Sequence, residues 1–292
     1  MSNIIYSTLL AALIFSTALP GGKKPKVPKN YAQIPAGQAF ADSTMHEVKE
    51  FYIGKFEVSN TEYRAFLNSL KASGDMDALA IAQIDSSRWS EGLAHATPFT
   101  NYYHSHPAYT EYPAVNIPHE GAVLYCDWLT KKYREENPEG PKVTFRLPAK
   151  EEWIRAARPE KIYTPYPWGN NYVRDGKGRF LANFKLVGEE NLRYDLETKT
   201  YKLMPYNFGD LAPSNLTEDV VTIVAPVKSF LPTEEGIHNQ SGNVAEMISD
   251  PAIVMGGSWR NTGYDIRIES EMENTAPAPH IGFRVVMEVE GR

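Results

Sequence analysis

The chain has a single cysteine, Cys126, in 292 residues. One thiol excludes an intramolecular disulfide, a multi-thiolate metal site and two-cysteine redox chemistry. Positive charge is short as well: 30 Lys and Arg stand against 36 Asp and Glu, a formal net charge of −6. That balance argues against nucleic-acid binding, which needs a clustered basic surface. The one basic run, Lys23, Lys24, Lys26 and Lys29, lies in a Pro- and Gly-rich stretch and reads as solvated linker. No internal repeat, nucleophile-elbow, phosphate-loop or zinc-protease pattern is present. Past the N-terminus no stretch is long and apolar enough to cross a bilayer.

The N-terminus points to export. Residues Ile4 to Leu19 carry no charge and run into Pro20-Gly21-Gly22, with Ser16-Thr17-Ala18 as a small-residue cleavage site. Residues 1–18 are therefore expected to be a signal peptide, 19–30 a linker and 31–290 one folded domain. The n-region lacks Lys and Arg, so an uncleaved membrane anchor is the competing reading. Either way the protein is expected in the periplasm or at the cell surface. No cysteine stands near the cleavage point to carry a lipid.

What is abundant is core material: 42% hydrophobic residues, with 17 Tyr, 12 Phe and 5 Trp. In VSNTEYRAFLNSL, Ser59 and Glu62 have capping-box spacing, and Tyr63, Phe66, Leu67 and Leu70 follow at helical period. HEGAVLYCDWLTKKYREEN repeats the pattern through Ala122, Tyr125, Cys126, Leu129 and Tyr133, with Pro118 placed for a first helical turn. Cys126 thus belongs to a buried face. A shorter helix is predicted over Lys150–Ala157. Strand signals are brief: Glu50–Phe56, Thr222–Phe230, Val254–Trp259 and Gly282–Val289. Helices among short strands and long Gly-, Pro- and Asn-rich loops predict an α+β fold.

Seven blocks, in order along the chain, resemble one family. FYIGKFEVSNTEYRAFL, YPAVNIPHEGAVLYCDWL, FRLPAKEEWIRAAR, YPWGNNY, NQSGNVAEMISD, MGGSW and IGFRVV are similar to the formylglycine-generating, or sulfatase-modifying factor, family. The resemblance implies a loop-rich, single-domain variant of the C-type lectin fold. It also implies where chemistry should be. The family's copper-binding cysteines follow its Gly-Gly-Ser-aromatic strand, the first two residues past the aromatic and the second five further on. Here the strand is Gly256-Gly257-Ser258-Trp259, which puts Asn261 and Ile266 at those positions. Neither offers the thiolate that Cu(I) wants, so no copper and no formylglycine-generating oxidation are expected.

The family's calcium sites carry over better, being built from side-chain oxygens and backbone carbonyls. One set implied by the resemblance is Asn239, Gly242, Val244 and Glu246. The other is Asn183, Phe184, Asp219 and Val221. Further, NYYHSHPAYTEYPAVNI is similar to the matching segment of gliding-motility and type IX secretion lipoproteins of Bacteroidetes, non-catalytic scaffold subunits. His104, His106 and His119 are irregularly spaced and read as surface or turn residues.

Three functions follow from these readings. The first is a non-catalytic, calcium-stabilised scaffold or interaction domain with protein partners in the cell envelope. The second is a lectin-like module in which Trp259, Arg260, Asn261, Tyr264 and Arg267 face a glycan or peptide ligand. The third is an enzyme of other chemistry, for which Glu151-Glu152 and Glu269-Glu271-Glu273 supply carboxylates.

Overall fold

The computed structural model describes residues 24–91, 96–158, 164–186, 192–195, 197, 199–203 and 223–290. The signal or anchor segment 1–18, the start of the linker, Asp219 and Val221 lie outside the described residues. Strands β1 (Tyr31–Ile34) and β4 (Phe51–Gly54) pair antiparallel, with a hairpin of β2 (Gly37–Ala41) and β3 (Thr44–Val48) inserted between them. The hairpin turns on Asp42 and Ser43, both at positive φ (49° and 60°). Paired positive φ values match the twist of the flanking strands, which makes the two-residue loop possible.

Helix α1 (Asn60–Ser73) starts where its sequence says it should. The Ser59 hydroxyl accepts from the Glu62 amide, Glu62 accepts from the Ser59 amide, and Gly74 closes the far end at φ 73°. After α2 (Met76–Ile81) and α3 (Thr97–Tyr102) comes α4 (His119–Glu136), for which Pro118 is the N-cap. Helices α1 and α4 share an aromatic core: Tyr63 stacks on Tyr125 at 5.9 Å, and Phe66 meets Tyr125 edge-on at 5.7 Å. Each such side chain contributes roughly 1.5–3 kcal/mol by leaving water. Tyr63 and Phe66 are fully buried and Cys126 is 2% exposed. Strand β5 (Val143–Arg146) and helix α5 (Lys150–Ala157) follow, then the hairpin β6 (Leu192–Asp195) and β7 (Thr200–Leu203).

The C-terminal strands correct the sequence reading. A strand expected over Thr222–Phe230 is absent from residues 223–230, where Val224, Ala225 and Val227 are buried without a ladder. The strand expected over Val254–Trp259 is β9 (Ile253–Met255), preceded by β8 (Ala245–Met247). It ends at Met255 because Gly256 and Gly257 both take positive φ. The strand expected over Gly282–Val289 is two. After β10 (Glu271–Glu273), β11 (Ile281–Phe283) lies parallel to β8, while β12 (Val286–Val289) lies between β4 and β5.

The chain therefore passes from the sheet β10-β9-β8-β11 into the sheet β1-β4-β12-β5 at Arg284 and Val285. Backbone bonds from Val58 to Phe283 and from Gly54 to Val285, both 2.8 Å, stitch the crossing to the segment after β4. The fold is α+β in one domain, and this crossing puts Arg284 at its centre.

Candidate functional site

Arg284 is fully buried and its guanidinium donates four hydrogen bonds from its planar fork. Nε and one terminal nitrogen donate to Glu246 at 2.6 and 2.5 Å, and the remaining bonds go to the carbonyls of Gly54 (3.0 Å) and His238 (2.9 Å). The Trp153 indole donates to the same Glu246 carboxylate at 2.7 Å. Glu246 is 1% exposed. A bidentate, fully satisfied pair is the form in which a buried ion pair is tolerable.

A second carboxylate completes the cluster. Glu57, also 1% exposed, accepts from Asn243 Nδ2 at 2.8 Å and from Asn239 Nδ2 at 3.1 Å. Burial pushes its carboxyl up to about 7; Arg284 opposes that shift and Glu246 adds to it. Burial works against the Arg284 charge, yet Glu246 and Glu57 hold it above the ordinary arginine range. With both carboxylates ionised the interior carries two negative charges against one positive.

Asn243 knits this cluster to the loops. Its Oδ1 accepts from the Ala225 amide at 2.8 Å, its carbonyl accepts from the Trp259 amide, and its own amide donates to the Asn183 carbonyl. Gly242, at φ 78°, passes so close to Asn183 that any Cβ would collide with that residue's carbonyl. Glycine is required here for space and for backbone angle alike.

Against the expected calcium donors the geometry divides. Asn239, at φ 56°, has a buried Oδ1 with no hydrogen-bond partner among the described residues, a fit for a hard cation. Val244 is 1% exposed on the same loop. Glu246 is the correction: both its oxygens face Arg284 and Trp153, so its charge is already matched by a guanidinium rather than open to a metal. In the second set, Asn183 Nδ2 donates to the Ile223 carbonyl at 2.5 Å, and Phe184 packs with Tyr166, Ala182 and Ile266.

The positions of the implied copper thiols are structural. Asn261 Oδ1 accepts from the Ser258 amide (2.9 Å) and hydroxyl (2.5 Å), holding the turn after Gly257, and its Nδ2 faces Met272 Sδ. Ile266 is fully buried in the cluster around Tyr166. Cys126 belongs to the α1–α4 core, and burial raises its thiol far above the usual range. These residues do not fit copper.

The expected ligand face is likewise divided. Trp259 is 8% exposed, packs with Trp89 and Val244, and donates to the Pro279 carbonyl, so it points inward with Asn261. Tyr264 is 68% exposed with the Arg267 guanidinium 3.5 Å from its ring centroid, and Arg260 lies over the Trp259 ring. The histidines do not converge. His106 caps a short 3₁₀ turn and His119 bonds the Ile248 carbonyl. His104 is half-buried rather than a surface residue, facing Asn60 Oδ1 at 3.1 Å, with burial of its ring depressing its pKa to about 3.

Glu57, Asn243 and Arg284 were not anticipated as site residues. The signal was present, since each falls inside a block that carries the family resemblance, but only the crossing between sheets brings the three blocks together.

Comparison with known proteins assigns the family. Residues 18–289 match the family described as sulfatase-modifying factor enzyme 1-like domain. Bovine (Bos taurus) formylglycine-generating enzyme is 24% identical over 265 residues, which cover 80% of this chain but 60% of that relative's own length. The bovine inactive C-alpha-formylglycine-generating enzyme 2 is also 24% identical, covering 81% of this chain and 77% of the relative. The solved structure of PvdO from Pseudomonas aeruginosa superposes with a TM-score of 0.57 at 20% identity, over 92% of this chain and all of that one. The chain belongs to the sulfatase-modifying factor enzyme 1-like domain family.

Proposed function

We propose that this protein is a non-catalytic member of its family, an exported binding or scaffold domain of the cell envelope of the gliding-motility and secretion kind. The observation that carries the reading is the pair Asn261 and Ile266. One ties a turn through its side-chain amide and the other fills a core, so the two positions that the family resemblance assigns to copper thiolates serve folding. A relative named as inactive stands among the similar proteins and supports the same reading.

Calcium enters this proposal as a clamp on the 239–246 loop, held by Asn239 Oδ1 with the carbonyls of Gly242 and Val244. When bound it supplies positive charge beside Glu57. Glu246 supports the loop through Arg284 instead.

The test is incubation of copper-loaded protein with a Cys-x-Pro-x-Arg peptide, read by mass spectrometry. No aldehyde above a no-protein control is expected, and aldehyde formation overturns the reading. Pull-down of the exported protein from envelope extracts is expected to recover protein subunits. Recovery of a glycan instead would favour the lectin-like alternative, for which exposed Tyr264 with its stacked Arg267 is the supporting observation.

A further inference from the structure

A cleft of about 200 Å³ opens between residues 28–31, the turn after β4 and one face of α4. Its lining includes Gly54 and Glu57 of the buried cluster described above but no residue of the 239–246 loop. Tyr125, 4% exposed, lines this cleft, and its hydroxyl makes no hydrogen bond to any described residue. The Tyr31 hydroxyl, from β1, is likewise without a partner among the described residues. Beside them lies Glu62, whose Oε2 is engaged by the Ser59 amide and hydroxyl while Oε1 has no partner among the described residues. Burial foremost, with the charge of Glu62 adding to it, holds both phenols well above the ordinary tyrosine range, so they stay neutral hydroxyls.

The charge of the cleft is one-sided. Three carboxyl side chains of its lining, Glu57, Glu62 and Glu136, stand against the ammonium of Lys132, which lies 5.1 Å from the Trp128 ring centroid. Both hydroxyl oxygens reach the open cleft and lack partners among the described residues, so with the free oxygen of Glu62 they are available to accept hydrogen bonds from a bound donor.

We propose that this cleft binds a primary alkylammonium group. Such a group carries three N–H donors. The oxygens of Tyr31 and Tyr125 and Glu62 Oε1 offer three acceptors, while Leu129 and the Phe145 ring receive the alkyl stem. Glu136 adds attraction at longer range. The same chemistry comes from a free amine or from a lysine side chain of a partner protein.

The test is calorimetric titration of the full chain with n-butylammonium and, separately, with N-acetyl-lysine N-methylamide. 1-Butanol and tetramethylammonium are the controls, one lacking charge and the other lacking N–H donors. At least one amine is expected to bind with Kd on the order of 1 mM, with both controls about tenfold or more weaker. Binding of the lysine derivative identifies a side-chain site; binding of butylammonium alone identifies a small-amine site. Tyr125→Phe keeps the ring packing and is expected to weaken the bound amine about tenfold, the effect of losing one hydrogen bond to a charged group. Should neither amine bind, or butanol bind as well as butylammonium, or Tyr125→Phe leave affinity unchanged, the proposal is overturned.

Discussion

Glu57 gives this protein an unusual dependence of stability on pH. Its carboxyl titrates at about 7 in the folded chain against a reference value of 4.5, with burial the main cause. The folded state therefore binds this proton more tightly than the unfolded state does. The resulting stability is fully present below about pH 4.5 and is lost as pH rises through about 7. One pKa unit corresponds to about 1.4 kcal/mol, so the separation of the two values amounts to about 3 kcal/mol across that window. The groups facing Glu57 are Arg284, Glu246, Asn239 and Asn243, and Arg284, held above the ordinary arginine range, stays charged throughout it. Half-buried His104 and His280 work in the other direction. Their rings are depressed to about 3 and about 4 by burial, with nearby arginines adding to it, so their stability is lost as pH falls from about 6.5. Wild-type stability should thus pass through a maximum near neutrality or just below. Glu57→Gln isolates the carboxylate term. Urea unfolding of both proteins from pH 5 to 8.5 should show the variant gaining relative to wild type by about 2–3 kcal/mol as pH rises. Parallel curves over that range would refute the assignment, because they would mean that Glu57 is already ionised at pH 5 in the folded chain.

Three further outcomes are expected. Arg284→Met leaves Glu246 and Glu57 buried without a counter-charge and should cost about 3–5 kcal/mol in denaturant unfolding, or prevent folding. If calcium clamps the 239–246 loop, a chelator lowers Tm and added calcium restores it, by about 2.7 kcal/mol at a hundredfold excess over Kd. Asn239→Ala should abolish that response, whereas Glu246→Gln should destabilise the protein in chelator and calcium alike. Cys126 should ignore a thiol-reactive chromophore in the native protein and react once on unfolding, since it is 2% exposed and its thiolate is disfavoured by burial; rapid reaction of the folded chain would contradict its placement in the α1–α4 core.

Much of the local structure was legible from residue order. The α1 cap, the apolar faces of α1 and α4, and α5 over Lys150–Ala157 all follow from signals spanning a few residues: a Ser-x-x-Glu box and spacings of three and four. The replacement of thiols by Asn261 and Ile266 was equally plain, because it depends on identity at two positions. Short strands were harder. Residues 223–230 have strand-like composition, yet Ala225 pairs with the Asn243 side chain rather than with a neighbouring strand. Composition cannot tell those two destinations apart, since both bury the same apolar groups.

Glu246 marks the line between the two kinds of information. Its sequence position on an Asn- and Gly-containing turn suits a cation, and nothing within eight residues argues otherwise. Its partner Arg284 is 38 residues away in sequence, and the Gly54 carbonyl that Arg284 also bonds is 230 residues from Arg284. Sequence alone determined where α1, α4 and α5 form, because propensity and capping act locally, and which residues stand at the two positions expected to carry thiols. Which charge neutralises Glu246, how far Glu57 is pushed from its ordinary value, and which hydroxyls are left facing a cleft were decided by the crossing of residues 281–289 from one sheet to the other. Desolvation and pairing depend on three-dimensional distance, and that distance exists only once the sheets are packed.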